Sequence, residues 1–524
     1  MAGSHHRPSD PTRFRDSGAI VLIRGHGESL QVYWVRRGDQ VSFMPGFHAF
    51  AGGVVGPGDA TLPMEGTVDD RGRALRACAI REAFEEIGVL IARDGRRDAA
   101  TLAEARERLL CGEAQFGALA ADCGWSFHAA DLPDAGRWRT PPFSSARFDA
   151  SYFLARMPDG APEPVIGDAE LAEGEWIAPA RAIERWHRGD AVFAAPILHT
   201  LRELAAGEDR LAERLASLPD RLPQPSRIEL SWGIVLHPMP TRALPPATHT
   251  NAYLVGDGEM ALIDPGSGEP GEVEALAKLI ESLAADGRRL TRILLTHAHP
   301  DHIGGVEALR ERFWVPVFGH HAIAGQVRLD GELADGDVIR LSPLVESWDL
   351  RVLHTPGHAI GHLCFLNERI GALFTGDHIT GAGTVIIDPP EGDMTEYVAS
   401  LERLATLPLR TLFPGHGSPS GAALRRIKWM IGHRRERELR VLAALSGLPR
   451  RPVELLEHAY ADTPRSMWVY AERSLLAHLV KLEREGLAVR EGGGWRRHGG
   501  LGMGGRVSDG GGHGGGGGGP KPRG

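Results

Sequence analysis

The stretch THAHPDH, residues 296–302, decides the fold of the second half of this chain. It follows an apolar run, RILL, and precedes the helix-like sequence GGVEALRERF. Residues two apart in an extended loop point to the same side, so His297 and His299 can face one point, with Asp301 and His302 a step further on. The stretch therefore predicts a loop between a strand and a helix that carries ligands for two adjacent metal ions.

Three further candidate ligands follow at the ends of predicted strands: His358 in TPGH, Asp377 in FTGDH and His416 in FPGHG. Glycine beside each one allows a sharp turn and a close approach of the backbone to a site. Four to five imidazoles with two carboxylates suit zinc first, and manganese or iron next, better than calcium or magnesium. A lone loop histidine is usually a packing residue, but a compact run with three ordered partners favours a metal centre.

This pattern resembles the metallo-β-lactamase superfamily over roughly residues 229–425. The resemblance implies an αββα sandwich with the metals at one edge of its two sheets. It also implies the ligands: His297, His299 and His358 for the first ion, Asp301, His302 and His416 for the second, and Asp377 as the bridge. The implied reaction is hydrolysis, in which two close ions activate water and Asp301 is the catalytic residue that orients it.

Other polar residues near these motifs are assigned supporting roles. Asp264, in LIDPGSG, matches an early strand and turn of the superfamily, where its role is structural. His354, His362 and His378 lie close to predicted ligands, and packing or support of the ligands is the favoured interpretation for all three.

Three helical stretches and a glycine-tipped hairpin follow the metal domain, and this order predicts a winged helix. Together with the stretch GTVIIDPPEGDMTEYVASLERL, it resembles the lactamase-β-like protein family, whose members include endoribonucleases that act on single-stranded RNA. The alternative is the hydroxyacylglutathione hydrolase type, a thioesterase with the same ligand set. Its C-terminal region is helical without a wing, so the hairpin tip at residues 492–495 favours the first branch.

A basic cluster accompanies the predicted winged helix and offers contacts to RNA phosphates. Its members are Arg425, Arg426, Lys428, Arg434, Arg435, Arg437 and Arg440. The alternative is a solvated helix face, because Glu436 and Glu438 interrupt the cluster and the net charge of the chain is -9.

The sequence REAFEEIGV, residues 81–89, carries the second candidate site. On a helix, Glu82, Glu85 and Glu86 share one face, while apolar residues line the opposite side. Three carboxylates on one ridge suit a hard ion such as Mg²⁺ or Mn²⁺. A solvated acidic face is the alternative, and the rarity of the full string favours a site.

This string is similar to the second half of the Nudix box, and the resemblance covers about residues 16–190. The first half departs from the family pattern, since FAGG replaces FPGG, Asp59 replaces the usual glutamate and a long insertion follows. That departure resembles the subgroup related to peroxisomal coenzyme A diphosphatases. The resemblance implies Mg²⁺- or Mn²⁺-dependent cleavage of a diphosphate, with Glu82 as a ligand, Glu85 and Glu86 as ligands and catalytic residues, and Arg81 orienting them. Glu170 is an additional candidate base, and a non-catalytic Nudix domain is the alternative.

The length of 524 residues exceeds what one hydrophobic core supports, so the sequence predicts a multidomain α/β protein. The predicted parts are a Nudix α/β/α sandwich at 16–205, a linker at 215–227, a metallo-β-lactamase-fold domain at 228–425, a winged-helix-like domain at 426–498 and a disordered glycine-rich tail at 499–524. Four scattered cysteines argue against a disulfide framework. No apolar segment of membrane-spanning length and no apolar leader is present, so we expect a cytoplasmic protein without a membrane partner.

Three functional hypotheses remain open at this stage. The two domains act on nucleotides and RNA, or they act on coenzyme A and its acyl thioesters, so the expected partners are small phosphorylated or thioester substrates or single-stranded RNA. In the third, non-enzymatic hypothesis, the C-terminal module serves only for docking or dimerisation. The oligomeric state stays open, a dimer included.

Overall fold

The computed structural model describes residues 14–498 apart from 67, 142, 143, 145, 168, 169, 218–226, 246 and 345–347. The chain divides into two compact units between Arg435 and Glu436. The predicted tail and most of the predicted linker lie outside the described residues. Among the described residues, no helix has both the length and the apolar character needed to cross a membrane.

The front domain is a sheet covered by helices on both faces. Its strands are β1 (Arg15–Arg24), β2 (Gln31–Arg37), β3 (His48–Ala49), β4 (Ala51–Val54), β5 (Asp134–Arg139), β6 (Phe148–Arg156) and β7 (Leu171–Ile177). Its helices are α1 (Asp70–Ile87), α2 (Ala99–Leu110), α3 (Phe116–Cys123), α4 (Pro179–His187), α5 (Ala195–Ala205) and α6 (Leu211–Ala216). The order is β3-β2-β1-β6-β5, with β4 paired to β1 and β7 to β2.

Strand β1 shows why both faces of this sheet are covered. Ile20 and Leu22 enter the core under α1 to α3, whereas Val21 and Ile23 enter the core under α4 to α6. Successive side chains of a strand point to opposite faces, so an unbroken apolar run requires a layer on each side.

The sequence predicts a hairpin over residues 19–35, where two apolar runs flank a glycine-containing turn, and a helix over about residues 73–87, and the structure confirms both. Strands β1 and β2 pair antiparallel. Helix α1 begins three residues earlier than predicted, at Asp70, because the side chain of Asp69 accepts a hydrogen bond from the backbone N–H of Gly72 and caps the helix.

The second domain is a sandwich of two sheets. The first sheet has the order β14-β13-β12-β11-β10-β9-β8 and the second has the order β15-β16-β17-β18-β19. The strands are β8 (Ile228–Ser231), β9 (Ile234–Pro240), β10 (His249–Val255), β11 (Glu259–Ile263), β12 (Arg289–Leu294), β13 (Val317–His320), β14 (Gly331–Leu333), β15 (Val338–Leu341), β16 (Trp348–His354), β17 (Leu363–Asn367), β18 (Ala372–Gly376) and β19 (Thr411–Pro414). The helices are α7 (Pro270–Ala284), α8 (Pro300–Ile303), α9 (Val306–Phe313) and α10 (Met394–Leu404).

A loop of the front domain enters the core of the second domain. Met44 and Phe47 belong to the same buried cluster as Tyr253 and Phe413, which fill the space between the two sheets. The backbone N–H of Gly421 donates to the carbonyl of Pro45 at 2.8 Å. The front and second domains therefore share apolar packing.

The C-terminal module begins within a long helix. Helix α11 (Ala423–Ala444) starts before the expected boundary at residue 426, and the division between the compact units falls ten residues after that boundary. The first part of the helix belongs to the earlier unit because Arg426 and Arg434 donate to backbone carbonyls of residues 380–385. The later unit adds α12 (Pro452–Ala459), α13 (Trp468–Arg484) and the hairpin β20 (Ala488–Glu491) and β21 (Gly494–Arg497). The predicted multidomain α/β architecture is confirmed.

The shared packing gives a test of how the front loop stabilises the chain. Phe47→Ala removes a side chain that is 2% exposed in the core of the second domain. We expect the free energy of unfolding to fall by about 3–5 kcal/mol, which urea denaturation reports as a lower midpoint. Trp314→Ala, at a side chain that is 91% exposed, is the matched control. A midpoint for Phe47→Ala equal to that of the control contradicts the packing role.

Candidate active sites

Three histidines form the first ligand group of the second domain. The donor nitrogens of His297, His299 and His358 lie within 4.8 Å of one another. His358 Nε2 is 3.2 Å from His299 Nδ1. His297 Nε2 is buried and has no hydrogen-bond partner among the described residues. An orphaned buried nitrogen beside two more imidazole nitrogens fits a bound cation.

The second ligand group is an aspartate with two histidines. His416 Nε2 lies 3.3 Å from Asp301 Oδ2 and 3.3 Å from His302 Nε2. Short helix α8 carries Asp301 and His302, and the loop after β19 carries His416. The ends of β12 and β19 therefore bring together residues more than a hundred positions apart in sequence.

Asp377 lies between the two groups, at the end of β18. Its Oδ1 is 3.3 Å from both His302 Nε2 and His416 Nε2. Its Oδ2 is 3.8 Å from His358 Nε2. Each carboxylate oxygen thus faces a different group, as a bridging ligand requires. The structure brings all seven predicted ligands of this rear site into one cluster.

Outer hydrogen bonds orient most of these imidazoles. His302 Nδ1 lies 2.9 Å from Asp264 Oδ2, and the backbone N–H and hydroxyl of Thr296 donate to the same carboxylate at 2.8 and 2.6 Å. His358 Nδ1 and His416 Nδ1 donate to backbone carbonyls at 3.0 and 2.8 Å. Each outer N–H leaves the inner nitrogen with a lone pair for a metal. Asp264, fully engaged by three donors, is a support and not a ligand.

The charges of the rear site differ between its two groups. Burial lowers the pKa of His358 to about 4 and that of His297 well below its usual range, so these two imidazoles are neutral. Burial also opposes charge on His416, but Asp377 and Asp301 outweigh it and raise the pKa of His416 to about 10. Without a metal, the carboxylates of the second group therefore hold protons on its histidines. A divalent cation can replace that positive charge.

Two of the three neighbouring histidines hydrogen-bond to the segments that carry candidate ligands, and the third packs beside them. His362 Nε2 accepts the backbone N–H of Asp377 at 3.2 Å, and its Nδ1 contacts the Thr355 hydroxyl at 2.9 Å. His354 Nε2 bonds the carbonyl of Ile360 in the loop that holds His358. His378 is buried against Tyr397, whose hydroxyl donates to the His378 carbonyl.

The front site gathers its carboxylates around one arginine. Arg81 binds Asp59 at 2.9 Å, Glu82 at 2.8 Å and Glu85 at 2.9 Å. The backbone N–H of Gly52 donates to Glu86 at 2.8 Å, and Glu86 is almost fully buried. The shorter side chain of Asp59 therefore still reaches the site, where it pairs with Arg81.

The front and rear sites differ in how closely their donors approach. Among the described residues, triplets of donor atoms within 4.8 Å of one another occur only in the rear site. In the front site Arg81 stands between the carboxylates and neutralises them. Burial, opposed by Arg81 and reinforced by Glu85, raises the pKa of Glu82 to about 7.

A large cavity opens in front of these glutamates. It measures about 2060 Å³, and Glu82, Glu85 and Glu86 form part of its wall. Arg37, at the end of β2, also lines it, and its Nε donates to the carbonyl of Phe43 at 3.0 Å. None of the described residues hydrogen-bonds its two terminal nitrogens. Such a cation suits an anionic ligand, and the sequence held no motif that would have revealed it.

Most of the predicted basic cluster is engaged within the protein. Arg426 and Arg434 donate to carbonyls, Arg435 pairs with Glu402, and Arg437 and Arg440 bind Asp462. Five of the seven cations therefore already have partners, which lowers their value as phosphate contacts.

Three family models match the chain in order. The NUDT19 Nudix domain matches residues 63–204, the metallo-beta-lactamase superfamily matches residues 245–416, and the beta-lactamase associated winged helix domain matches residues 452–495. All seven predicted ligands of the rear site, and the three glutamates of the front site, lie within the matched ranges.

Curated relatives and solved structures match the chain over about half its length. A beta-lactamase-like protein 2 homolog from Drosophila melanogaster is 32% identical over 258 residues, which cover 45% of this chain and 83% of the relative. An atrochrysone carboxyl ACP thioesterase from Aspergillus fumigatus is 34% identical over 256 residues, 47% of this chain and 75% of the relative. The crystal structure of a metallo-beta-lactamase family protein from Thermus thermophilus is 28% identical, with a TM-score of 0.42, and covers 51% of this chain and 98% of that one.

The pKa of Glu82 predicts how Mg²⁺ binding at the front site depends on pH. Below pH 7 a proton occupies the carboxyl group and competes with the cation. We therefore expect Mg²⁺ to bind about tenfold more weakly at pH 6 than at pH 8, measured by calorimetry on the full chain. Glu82→Gln has no carboxylate at either pH, so it should bind Mg²⁺ weakly at both pH 6 and pH 8. Equal affinities of the wild type at pH 6 and pH 8 would contradict this assignment.

Proposed function

Because the chain belongs to the metallo-beta-lactamase superfamily and carries a NUDT19-type Nudix domain before that domain and a winged helix after it, we propose a hydrolase with two separate activities. In this proposal the rear site holds two zinc ions and cleaves acyl thioesters. The front site holds Mg²⁺ or Mn²⁺ and cleaves a diphosphate in a coenzyme A-like substrate.

The position of Asp377 between two ligand groups carries the proposal for the rear site. Five imidazoles and two carboxylates are a donor set that zinc prefers, and the buried orphaned nitrogen of His297 fits it. Two such ions, when bound, lower the pKa of water and polarise a scissile carbonyl group. Manganese or iron suits the same donors less well than zinc.

Three residues around the rear site are assigned separate roles. Asp301 is 22% exposed at its side chain, against 14% for Asp377, so Asp301 is the carboxylate more open to water and substrate. We assign Asp301 the orientation of the attacking water in addition to its place among the ligands. Asp264 and Thr296 keep His302 and His297 in one tautomer each, so that the site is ordered before substrate arrives.

One observation supports a thioester as the rear substrate. A relative that matches the metal domain is named as a thioesterase of an acyl carrier protein. An acyl carrier presents a phosphopantetheine thioester, the same chemical group that acyl coenzyme A presents. The cavity of the front site bears on the front substrate instead: its volume exceeds the roughly 300–1,000 Å³ of common ligand pockets and so accommodates an extended, coenzyme A-like molecule.

Cleavage of single-stranded RNA is the second candidate for the rear site. The match to a winged helix favours it, because this fold often places a helix against nucleic acid. The engaged arginines of the basic cluster disfavour it. A nuclease would have to draw its phosphate contacts from other residues.

In the front site the chain's own residues prepare the carboxylates. Arg81 bridges Asp59, Glu82 and Glu85, and the N–H of Gly52 holds Glu86. Divalent cations bound there neutralise phosphate charge and activate water. We assign Glu85 and Glu86 to the activation of water and place Glu82 among the ligands. Arg37 is placed to bind the anionic substrate.

Activity assays on purified full-length protein test both halves of the proposal. The variants are His297→Ala/His299→Ala and Glu85→Gln/Glu86→Gln, and the substrates are an acyl-pantetheine thioester, single-stranded RNA and coenzyme A. We expect thioester cleavage to fall by at least about a thousandfold in the histidine variant only, and coenzyme A cleavage to fall by a similar factor in the glutamate variant only.

Two other outcomes of these assays would contradict part of the proposal. RNA cleavage that disappears in the histidine variant, without thioester cleavage, would replace the first candidate by the second. Coenzyme A cleavage that persists in the glutamate variant would remove the front site from the reaction.

A further inference from the structure

One short segment holds two of the three ligands of the first histidine group. This 386–393 segment runs from Ile386 to Asp393, just before α10. The carbonyl of Ile386 accepts from His358 Nδ1 at 3.0 Å. The backbone N–H of Asp393 donates to the carbonyl of Gly357, the residue before His358, at 2.9 Å. The segment is therefore packed directly against the loop of a ligand.

Glu391 connects the same segment to a second ligand. Its Oε2 lies 3.6 Å from His299 Nε2. The other nitrogen of His299, Nδ1, faces His358 Nε2 at 3.2 Å, inside the cluster. His299 thus turns Nδ1 toward the metal position and Nε2 toward Glu391. Within the described part of the chain, no other carboxylate lies within 4.0 Å of this imidazole's outer nitrogen.

Every other imidazole of the rear site has an outer partner at hydrogen-bonding distance. The partners are Thr296 for His297, Asp264 for His302, Ile386 for His358 and His249 for His416. His299 differs because its outer nitrogen has only the longer approach of Glu391. An outer acceptor keeps the proton on one nitrogen and makes the other a better metal ligand.

We propose that Glu391 is the positioning residue of His299. Its carboxylate favours a proton on Nε2 and so leaves the lone pair of Nδ1 for the first ion of the site. A distance of 3.6 Å is too long for a hydrogen bond, so the carboxylate acts through charge and its effect is modest. This inference rests on the proposed pair of zinc ions.

Substitution of Glu391 removes no hydrogen bond that the described residues make with its side chain. It is 46% exposed, and none of the described residues hydrogen-bonds it. The cap of α10 comes from Asp393, whose side chain accepts from the N–H groups of Thr395 and Glu396. Substitution of Glu391 therefore leaves the helix and the 386–393 segment intact.

Metal affinity, measured apart from activity, tests the inference. The full chain is loaded with zinc and titrated with a chelator, for wild type, Glu391→Ala, Glu391→Gln and the control Glu396→Gln, an exposed glutamate on α10. We expect one of the two ions to bind roughly tenfold more weakly in Glu391→Ala, with the other unchanged. Glu391→Gln should bind that ion as weakly as Glu391→Ala, because the amide keeps the size of the side chain but not its charge. The visible spectrum of the cobalt-substituted protein should change in both Glu391 variants and stay unchanged in Glu396→Gln.

The outcomes separate this inference from the proposal on which it rests. A wild type that retains fewer than two zinc ions overturns the zinc pair. A wild type with two ions and a Glu391→Ala variant that matches Glu396→Gln in affinity and spectrum overturns the role of Glu391 alone.

Discussion

The carboxylate of Asp377 is the constraint on which the rear site depends. Its two oxygens face two groups of imidazoles, at 3.3 Å on one side and 3.8 Å on the other. A buried carboxylate requires compensating positive charge, and here protonated His302 and His416 supply it when no metal does. Two cations would meet the same requirement, and one of them would also occupy the neutral imidazoles of His297 and His358. The need for charge compensation thus links the ligand loops, which come from the ends of different strands.

Hydrogen bonds hold the residues around Asp377 in position. Asp264 receives three hydrogen bonds and points His302 inward, while His362 fixes the backbone of Asp377. The front domain also packs against the second domain near the site. Its loop with Met44 and Phe47 packs between the sheets and bonds Gly421, five residues after His416. The two domains therefore share a core, whereas their candidate metal sites differ in chemistry, mostly imidazoles in the rear site and carboxylates in the front site.

The candidate ligands could be predicted from the sequence because four of them lie in one compact motif after β12 and the other three each follow a glycine at or beyond the end of a strand, and strand ends meet at one edge of a sheet. The glutamates of α1 could also be predicted from the sequence, since helical spacing alone places them on one face. Three features could not be predicted. An apolar loop such as Phe43 to Phe47 does not reveal which core it enters. Arg37 shares a cavity wall with glutamates that lie more than forty positions away, and no motif links them. The approach of Glu391 to His299 joins residues ninety-two positions apart without any motif.

The zinc content of the Asp377→Asn variant, compared with the wild type, tests the central claim most directly. Both proteins are saturated with zinc, passed over a chelating resin and analysed for metal per chain. If the Asp377 carboxylate bridges two ions, the wild type retains two zinc ions per chain. The Asp377→Asn variant retains at most one, because an uncharged amide does not offset the positive charge of two cations. Retention of two ions by the variant, or of only one by the wild type, would contradict the account of a shared binuclear centre.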